Sequence, residues 1–275
     1  MKNGLTKLLV IVFILYSNIA LSQIVEGNVV DAKSGEPLVY VNIGVVGTSS
    51  GTITNLQGNF LLDVSNQSEN LIIRFSMIGY VSKEFSINEM IDENFTIELK
   101  KSTTVLDDVI IKPKRLVEKQ LGSKNDSDLI GIGWSGVGKG FESGTKIKVS
   151  KTIFIEDLNF YVSYNSFDSI LLRLHIRNIA DDMPGKELLK QNILIPVSIE
   201  SGWVKVNLED YDLYYDQDII VSLEWLRAWG DYKGNFLLSM SLFKGILYSK
   251  RASEANWEIA DKRSPGLYLN VLESK

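Results

Sequence analysis

What most constrains the fold of this chain is a succession of short β-branched runs, broken by turn residues and with no helical period between them. Between Gln23 and Ile111 the runs are Ile24 to Val30, Leu38 to Val46, Phe60 to Val64, Leu71 to Ser76, Tyr80 to Ile87 and Phe95 to Leu99. Ser34-Gly35-Glu36-Pro37 and Asn55-Leu56-Gln57-Gly58-Asn59 separate some of them. Gly35, Gly58 and Gly79 sit where turns call for positive φ, and Pro37 presets the entry to a strand. Strands recurring about every 8–12 residues point to a β-sandwich, and this stretch suits one of about seven strands with Phe60, Phe75 and Tyr80 as fillers of its core.

Lys112-Pro113-Lys114-Arg115 closes that unit with charge and a proline. Residues 113–145 then read as a linker, polar and rich in glycine (Gly131, Gly133, Gly136, Gly138, Gly140, Gly144). From Lys146 the β-pattern returns in longer runs: Ile147 to Ile155, Leu158 to Tyr164, Ile170 to Ile176, Asn192 to Ile199, Trp203 to Leu208, Asp218 to Trp225, Phe236 to Phe243 and Leu267 to Leu272. Residues 146–275 therefore predict a second, larger β-sandwich of jelly-roll type. In the run from Ile170, Leu172, Leu174 and Ile176 alternate with Arg173, His175 and Arg177, the pattern of a half-buried strand. A turn around Lys186 to Lys190 is the one helix candidate.

Residues 1–22 read as a signal peptide: Lys2 and Lys7 ahead of the apolar run Leu8 to Tyr16, then Ala20 and Ser22 as small residues before a cut at Gln23. That run is too short for a spanning helix, and no later segment is apolar enough, so the mature chain is expected to be exported with no transmembrane segment.

The formal net charge of −5 repels phosphate backbones, so nucleic acid is not an expected partner. With no cysteine, disulfides, thiolate metal sites and cysteine nucleophiles are excluded. His175, the single histidine, stands between two arginines and reads as an exposed strand residue rather than a zinc ligand or the base of a triad. Gly131-Ile132-Gly133-Trp134-Ser135-Gly136 matches a dinucleotide loop, and Gly133 to Lys139 nearly matches a phosphate loop. Both need a helix N-terminus behind them, whereas Phe141-Glu142-Ser143-Gly144 is no helix start, so a loop or bulged strand is expected there.

No catalytic constellation or cofactor is expected. Carboxylates such as Glu200, Glu209, Glu224, Asp231 and Glu258 could serve a hydrolase only if two met at a fixed separation with one pKa raised. Asp181, Asp182, Asp210, Asp212, Asp216 and Asp218 could hold a structural calcium ion, although solvated loops are the plainer reading. The second domain also gathers aromatics. Trp225, Trp229, Asp231, Tyr232 and Trp257 are the candidate ligand-binding residues, the rings to stack on a sugar and the acid to bond its hydroxyls, with burial in a core as the competing fate.

Residues 23–111 resemble the carboxypeptidase-like regulatory domain, a transthyretin-like module common in exported Bacteroidetes proteins. The likeness is carried by Ile24-Val25-Glu26-Gly27-Asn28-Val29-Val30-Asp31, Gly35-Glu36-Pro37-Leu38, Val41-Asn42-Ile43, Gly47-Thr48, Gly51-Thr52, Gly58-Asn59-Phe60, Phe75-Ser76-Met77-Ile78-Gly79-Tyr80 and Leu106-Asp107-Asp108-Val109-Ile110, with Asn55 where the family often has Asp. It implies a transthyretin-like seven-stranded sandwich for these residues, so that, with the jelly-roll-like sandwich read above following it, the whole chain is expected to be all-β. It brings no carboxypeptidase chemistry. Such domains often begin TonB-dependent outer-membrane receptors, whose plug and barrel would not fit in the residues that follow here. The function these readings favour is a non-catalytic binding or assembly module of the cell envelope, in the periplasm or at the outer membrane, with an envelope protein or a glycan as partner. The alternative is a carbohydrate-binding protein.

Overall fold

A computed structural model of the protein describes residues 23–90, 94–102, 116–135, 140–231 and 233–275. The signal-peptide reading, Tyr232 and the Leu106 to Ile110 motif lie outside the described residues. The chain is all-β. Seven strands make the first unit: β1 (Ile24–Asp31), β2 (Asn42–Val45), β3 (Gly51–Ile53), β4 (Asn59–Asp63), β5 (Ile72–Ser76), β6 (Lys83–Ser86) and β7 (Asn94–Leu99). They form two sheets, β4-β1-β7 and β3-β2-β5-β6, in which only β1 and β7 run parallel. The apolar alternation puts Val25, Val29, Ile43, Phe60, Leu62, Phe75 and Ile97 into one shared core, as a sandwich requires. Gly35, Gly58 and Gly79 have φ of 73°, 76° and 85°, the left-handed turns expected of them.

The larger unit contains β8 (Leu116–Gly122), β9 (Gly131–Ser135), β10 (Glu142–Ile147), β11 (Ile153–Asn165), β12 (Ser169–Ala180), β13 (Met183–Glu187), β14 (Ile193–Val197), β15 (Gly202–Asn207), β16 (Tyr214–Tyr215), β17 (Ile219–Trp229), β18 (Asn235–Lys250), β19 (Glu258–Pro265) and β20 (Leu267–Ser274). Their main order is β13-β12-β17-β10-β18-β11-β20-β8, antiparallel throughout. β18 joins the two halves of this order, pairing with β11 at Phe236 to Leu238 and with β10 at Leu247 to Lys250. Between these stretches a bulge at Phe243 (φ 72°) and Gly245 (φ 75°) lets the strand turn from one layer to the other.

Of the expected linker over residues 113–145, the described residues 116–122, 131–135 and 142–145 are paired strand instead. β8 pairs with β20, β9 with β18, and β10 lies between β17 and β18. Glycine there permits close backbone approach rather than slack. A Cβ on Gly133 would lie 1.8 Å from the Phe236 carbonyl, and one on Gly144 would lie 2.2 Å from that of Val221. Gly144→Ala is accordingly expected to cost about 1–3 kcal/mol or more through forced displacement of β17. A urea-denaturation midpoint within error of wild type would contradict that close contact.

Two other readings are corrected. The run from Ile147 to Ile155 is split, Ile147 ending β10 and Ile153 starting β11, and β11 continues through Glu156-Asp157 into the next run because a bulge between Ile155 and Asp157 absorbs the polar pair. The helix candidate at Lys186 to Lys190 instead begins within β13, held to β12 by pairing at Arg177, Ile179 and Ala180.

The two units meet directly. Tyr40 and Ile53 of the first pack with Leu171 and Leu226 of the second in a small buried cluster. Gly47 donates its N–H to the Glu254 carbonyl at 2.9 Å.

Candidate functional site

The site grows out of strand register. β12 faces the larger core with Leu172, Leu174 and Ile176, which leaves Arg173, His175 and Arg177 on the opposite face. Pairing then sets Glu224 beside Arg173, Ser222 beside His175, Glu142 beside Glu224 and Lys250 beside Glu142. Four adjacent strands thus contribute one row of charges, and the first unit and β13 close over that row. Arg173, His175 and Arg177 are 0%, 3% and 9% exposed, which overturns the half-buried strand and the exposed histidine.

Burying this many charges is tolerable only if they are paired and hydrogen-bonded, and each is paired, with Glu224 Oε1 the one oxygen of the row that makes no hydrogen bond. Arg173 donates Nε to Glu224 at 2.9 Å, Nη2 to Asn42 Oδ1 at 2.7 Å, and Nη1 to the Tyr40 carbonyl at 3.0 Å and to Asn192 at 3.2 Å. It therefore bolts the two units together, and Tyr40 adopts a left-handed φ of 60° where its carbonyl meets the guanidinium. His175 lies between two carboxylates, Nε2 at 2.7 Å from Glu224 and Nδ1 at 2.6 Å from Glu187. Arg177 grips Glu142 with both terminal nitrogens and donates to Ser222, whose hydroxyl bonds Glu142 in turn. Lys250 reaches Glu142 at 3.1 Å.

Burial alone would raise Glu142, but Arg177, His175 and Lys250 outweigh it and hold that carboxyl well below the ordinary range. Glu224 is lowered in the same way, burial being overcome by Arg173 and His175, and so is Glu187, by His175 and Arg177. Burial and the Arg177 charge press His175 downward, yet Glu142 and Glu187 prevail and raise it above its ordinary 6.5. Stability from a raised histidine is fully present below pH 6.5 and is lost as pH climbs through the folded value. Stability from the lowered glutamates is present above 4.5 and lost as pH falls through their folded values. This network should therefore be strongest between pH 4.5 and 6.5. Urea midpoints followed upward from pH 6.5 should fall for wild type and fall less for His175→Gln. Parallel slopes would assign the loss to other groups.

Above the row lies a cleft of about 1230 Å³ along the seam between the units. Its first-unit wall holds Arg74, which pairs with Glu84 at 2.7 Å and with Glu254 at 3.1 Å, and Ser76, which donates to Glu254 at 2.8 Å. Burial pushes Glu254 up against the downward pull of Ser76, Lys250 and Arg74. Trp257 lines the cleft half-buried, with Lys250 4.9 Å and Arg177 5.4 Å from its ring.

The aromatic candidates do not assemble. Trp225 is 1% exposed, among Trp134, Phe167 and the larger core, and so cannot stack on a ligand. Trp229 is 38% exposed, with the Arg227 guanidinium 4.7 Å from its ring. Asp231 is exposed and caps its own turn by accepting the Lys233 N–H at 2.9 Å. Trp257 alone of the described candidates lines the cleft. Glu200, Glu209, Asp231 and Glu258 are exposed, while Glu224 is in the buried row. The glycine motif is a paired strand, β9, with residues 136–139 outside the described region. Among the described residues no group of three or more His, Cys, Asp or Glu side chains is arranged to hold a metal ion, and Asp218 is tied to Lys146 and the Val149 N–H.

Sequence reasoning named Arg173, His175, Arg177, Glu224 and Trp257 but did not bring them together, and it passed over Glu142, Glu187 and Glu254 as site residues. The signal was a period-two set of opposite charges, Arg173-His175-Arg177 against Ser222-Glu224, but only the pairing of four strands shows that they converge.

These features define an all-β protein of two abutting units with a polar cleft between them. Residues 25–111 match the model of the CarboxypepD_reg-like domain family and form a domain of that kind. Over 89 residues the chain is 34% identical to TonB-dependent receptor SusC of Bacteroides thetaiotaomicron, which covers 32% of this chain and 8% of the receptor. Over 87 residues it is 30% identical to TonB-dependent receptor P3 of Formosa agariphila, with the same 32% and 8%. The matched stretch is thus a small fraction of either receptor's length. Among solved structures, chains of the T13 IBDV viral particle (TM-score 0.24, 8% identity, 94% of this chain and 61% of that one) and of the infectious bursal disease virus Gt strain (0.24, 10%, 94% and 63%) are similar only at a level that carries no argument.

Proposed function

We propose that the chain is a non-catalytic binding or assembly module of the cell envelope, exported to the periplasm or the outer membrane, which recognises a partner in the cleft between its two units. One observation carries this reading: the ionisable side chains of the row beneath the cleft are ion-paired with one another, and the row's one oxygen without a hydrogen-bond partner, Glu224 Oε1, is fully buried. A general base or nucleophile needs a lone pair left for its substrate. Both nitrogens of His175, which lines the cleft, face carboxylates, and in the row beneath it the Ser222 hydroxyl is bonded to Glu142, so the floor is a fixed polar surface. The likeness of residues 25–111 to TonB-dependent receptors supports the envelope setting. No helix among the described residues is long and apolar enough to cross a membrane.

Trp257 supports a carbohydrate reading, and Glu254, whose carboxyl is pushed up by burial, is the cleft carboxyl suited to act as the acid of a hydrolase, whereas Glu142 and Glu187 are held ionised by their cations. A photo-crosslinking residue in place of Trp257 should trap a discrete envelope component. One in place of Phe243, exposed and outside the cleft, should not. Equal labelling from both positions, or turnover of glycosidic or peptide substrates lost in Glu254→Gln, would replace this reading.

A further inference from the structure

We infer that the partner taken by the cleft is an acidic, extended peptide segment, held by Lys186 and Lys190; this rests on the binding reading above. The first argument is residual charge. Each carboxylate that lines the cleft already has a cation or donor: Glu84 has Arg74, Glu254 has Arg74 and Ser76, and Glu187 has His175 and two backbone N–H groups. The lining cations are not used up in the same way. Arg74, Arg173, Arg177 and Lys250 are paired, but the Lys186 and Lys190 ammonium groups are exposed and make no ion pair among the described residues. What the cleft still offers a ligand is therefore positive, on a chain whose formal net charge is −5.

The second argument concerns shape. Lys186 belongs to β13, the outermost strand of its sheet, which among the described residues pairs with β12 alone; of its backbone donors, Pro184 has no N–H and that of Lys186 is taken by Asn178 Oδ1 at 2.6 Å. Lys190 sits where the units touch, its carbonyl 2.7 Å from where a Cβ on Gly79 would lie. Half-buried Met77, Met183 and Leu188 line the cleft beside the two lysines, soft apolar surface that adapts to side chains. A strand at the end of its sheet, apolar residues and two exposed cations together suit an extended peptide that lies along that strand and alternates acidic with apolar residues. A sugar would depend on aromatic faces, and the single tryptophan in the cleft is already engaged by Arg177 and Lys250.

The test uses the full chain and fluorescence anisotropy of labelled octapeptides, one alternating Glu with Leu and one Lys with Leu, with polygalacturonate as the acidic-glycan arm. The Glu-Leu peptide should bind, weaken with added salt, and lose about tenfold or more in affinity when Lys186→Glu and Lys190→Glu are combined. Both lysines are exposed, so the thermal midpoint should not move and the loss cannot be assigned to misfolding. Lys-Leu binding as tight as Glu-Leu, or Glu-Leu binding indifferent to the charge reversal, would overturn the acidic class. Polygalacturonate binding without peptide binding would overturn the peptide class. In either case a crosslink from position 257 would keep the cleft itself as the binding site, whereas its absence together with silence from every probe would remove both readings.

Discussion

Glu224→Ala should destabilise the protein by about 3–5 kcal/mol, among the largest losses available to a single substitution in this chain. The carboxylate is fully buried and serves Arg173 and His175 at once. Truncation leaves a guanidinium of 0% exposure without its counter-charge, and water cannot replace it. The cost arises from the orphaned partner rather than from the worth of the pair, which gives a second expectation. Arg173→Met combined with Glu224→Leu should be less destabilised than Glu224→Ala alone, although it gives up the bonds to Asn42 and Tyr40. Urea unfolding read by tryptophan fluorescence measures both. A loss under about 1 kcal/mol for Glu224→Ala would mean that the row is solvated and that the seam is open to water.

Trp225→Ala should cost a similar amount, about 3–5 kcal/mol, for a different reason. Its ring is edge-on to Trp134 at 5.6 Å and to Phe167 at 5.4 Å, and Trp134 in turn stacks on Phe236 at 5.3 Å. Removing the indole would leave a cavity among residues of several strands that cannot all collapse into it. Trp229→Ala, four positions later on the same strand, should stay within about 0.5 kcal/mol. Equal effects at the two positions would contradict the burial that separates them. The contrast bears on function as well, because the two tryptophans look alike in sequence and only their depth prevents them from acting as one sugar-binding face.

Much of the first unit was legible because its signals are local. A left-handed turn at Gly58 and the alternation of Phe60 and Leu62 are set by neighbours in sequence, and the structure returns both. The larger unit was legible only where apolar alternation was strong, as in β12 and β17. Gly133 and Gly144 misled because glycine serves two purposes, slack in a linker and close approach in a sheet, and composition does not distinguish them. Of the site, Trp257 was named for its chemistry, while Glu142, Glu187, Glu254, Lys186 and Lys190 were passed over. A lone acid or lysine on a strand carries no mark of its partner.

By itself, then, the sequence determined the β class, the kind of module at residues 25–111, the charge balance and the lack of any thiol chemistry. Each of these depends on residue type and short-range order. Tertiary structure alone decided that Arg173, His175 and Arg177 are buried rather than solvated, that they meet Glu142 and Glu224, and that a cleft opens above them. The physical reason is that strand alternation assigns a side chain to a face but does not say what covers that face. Here the cover is the first domain, brought there by contacts such as Tyr40 and Asn42 to Arg173, across more than a hundred residues of chain.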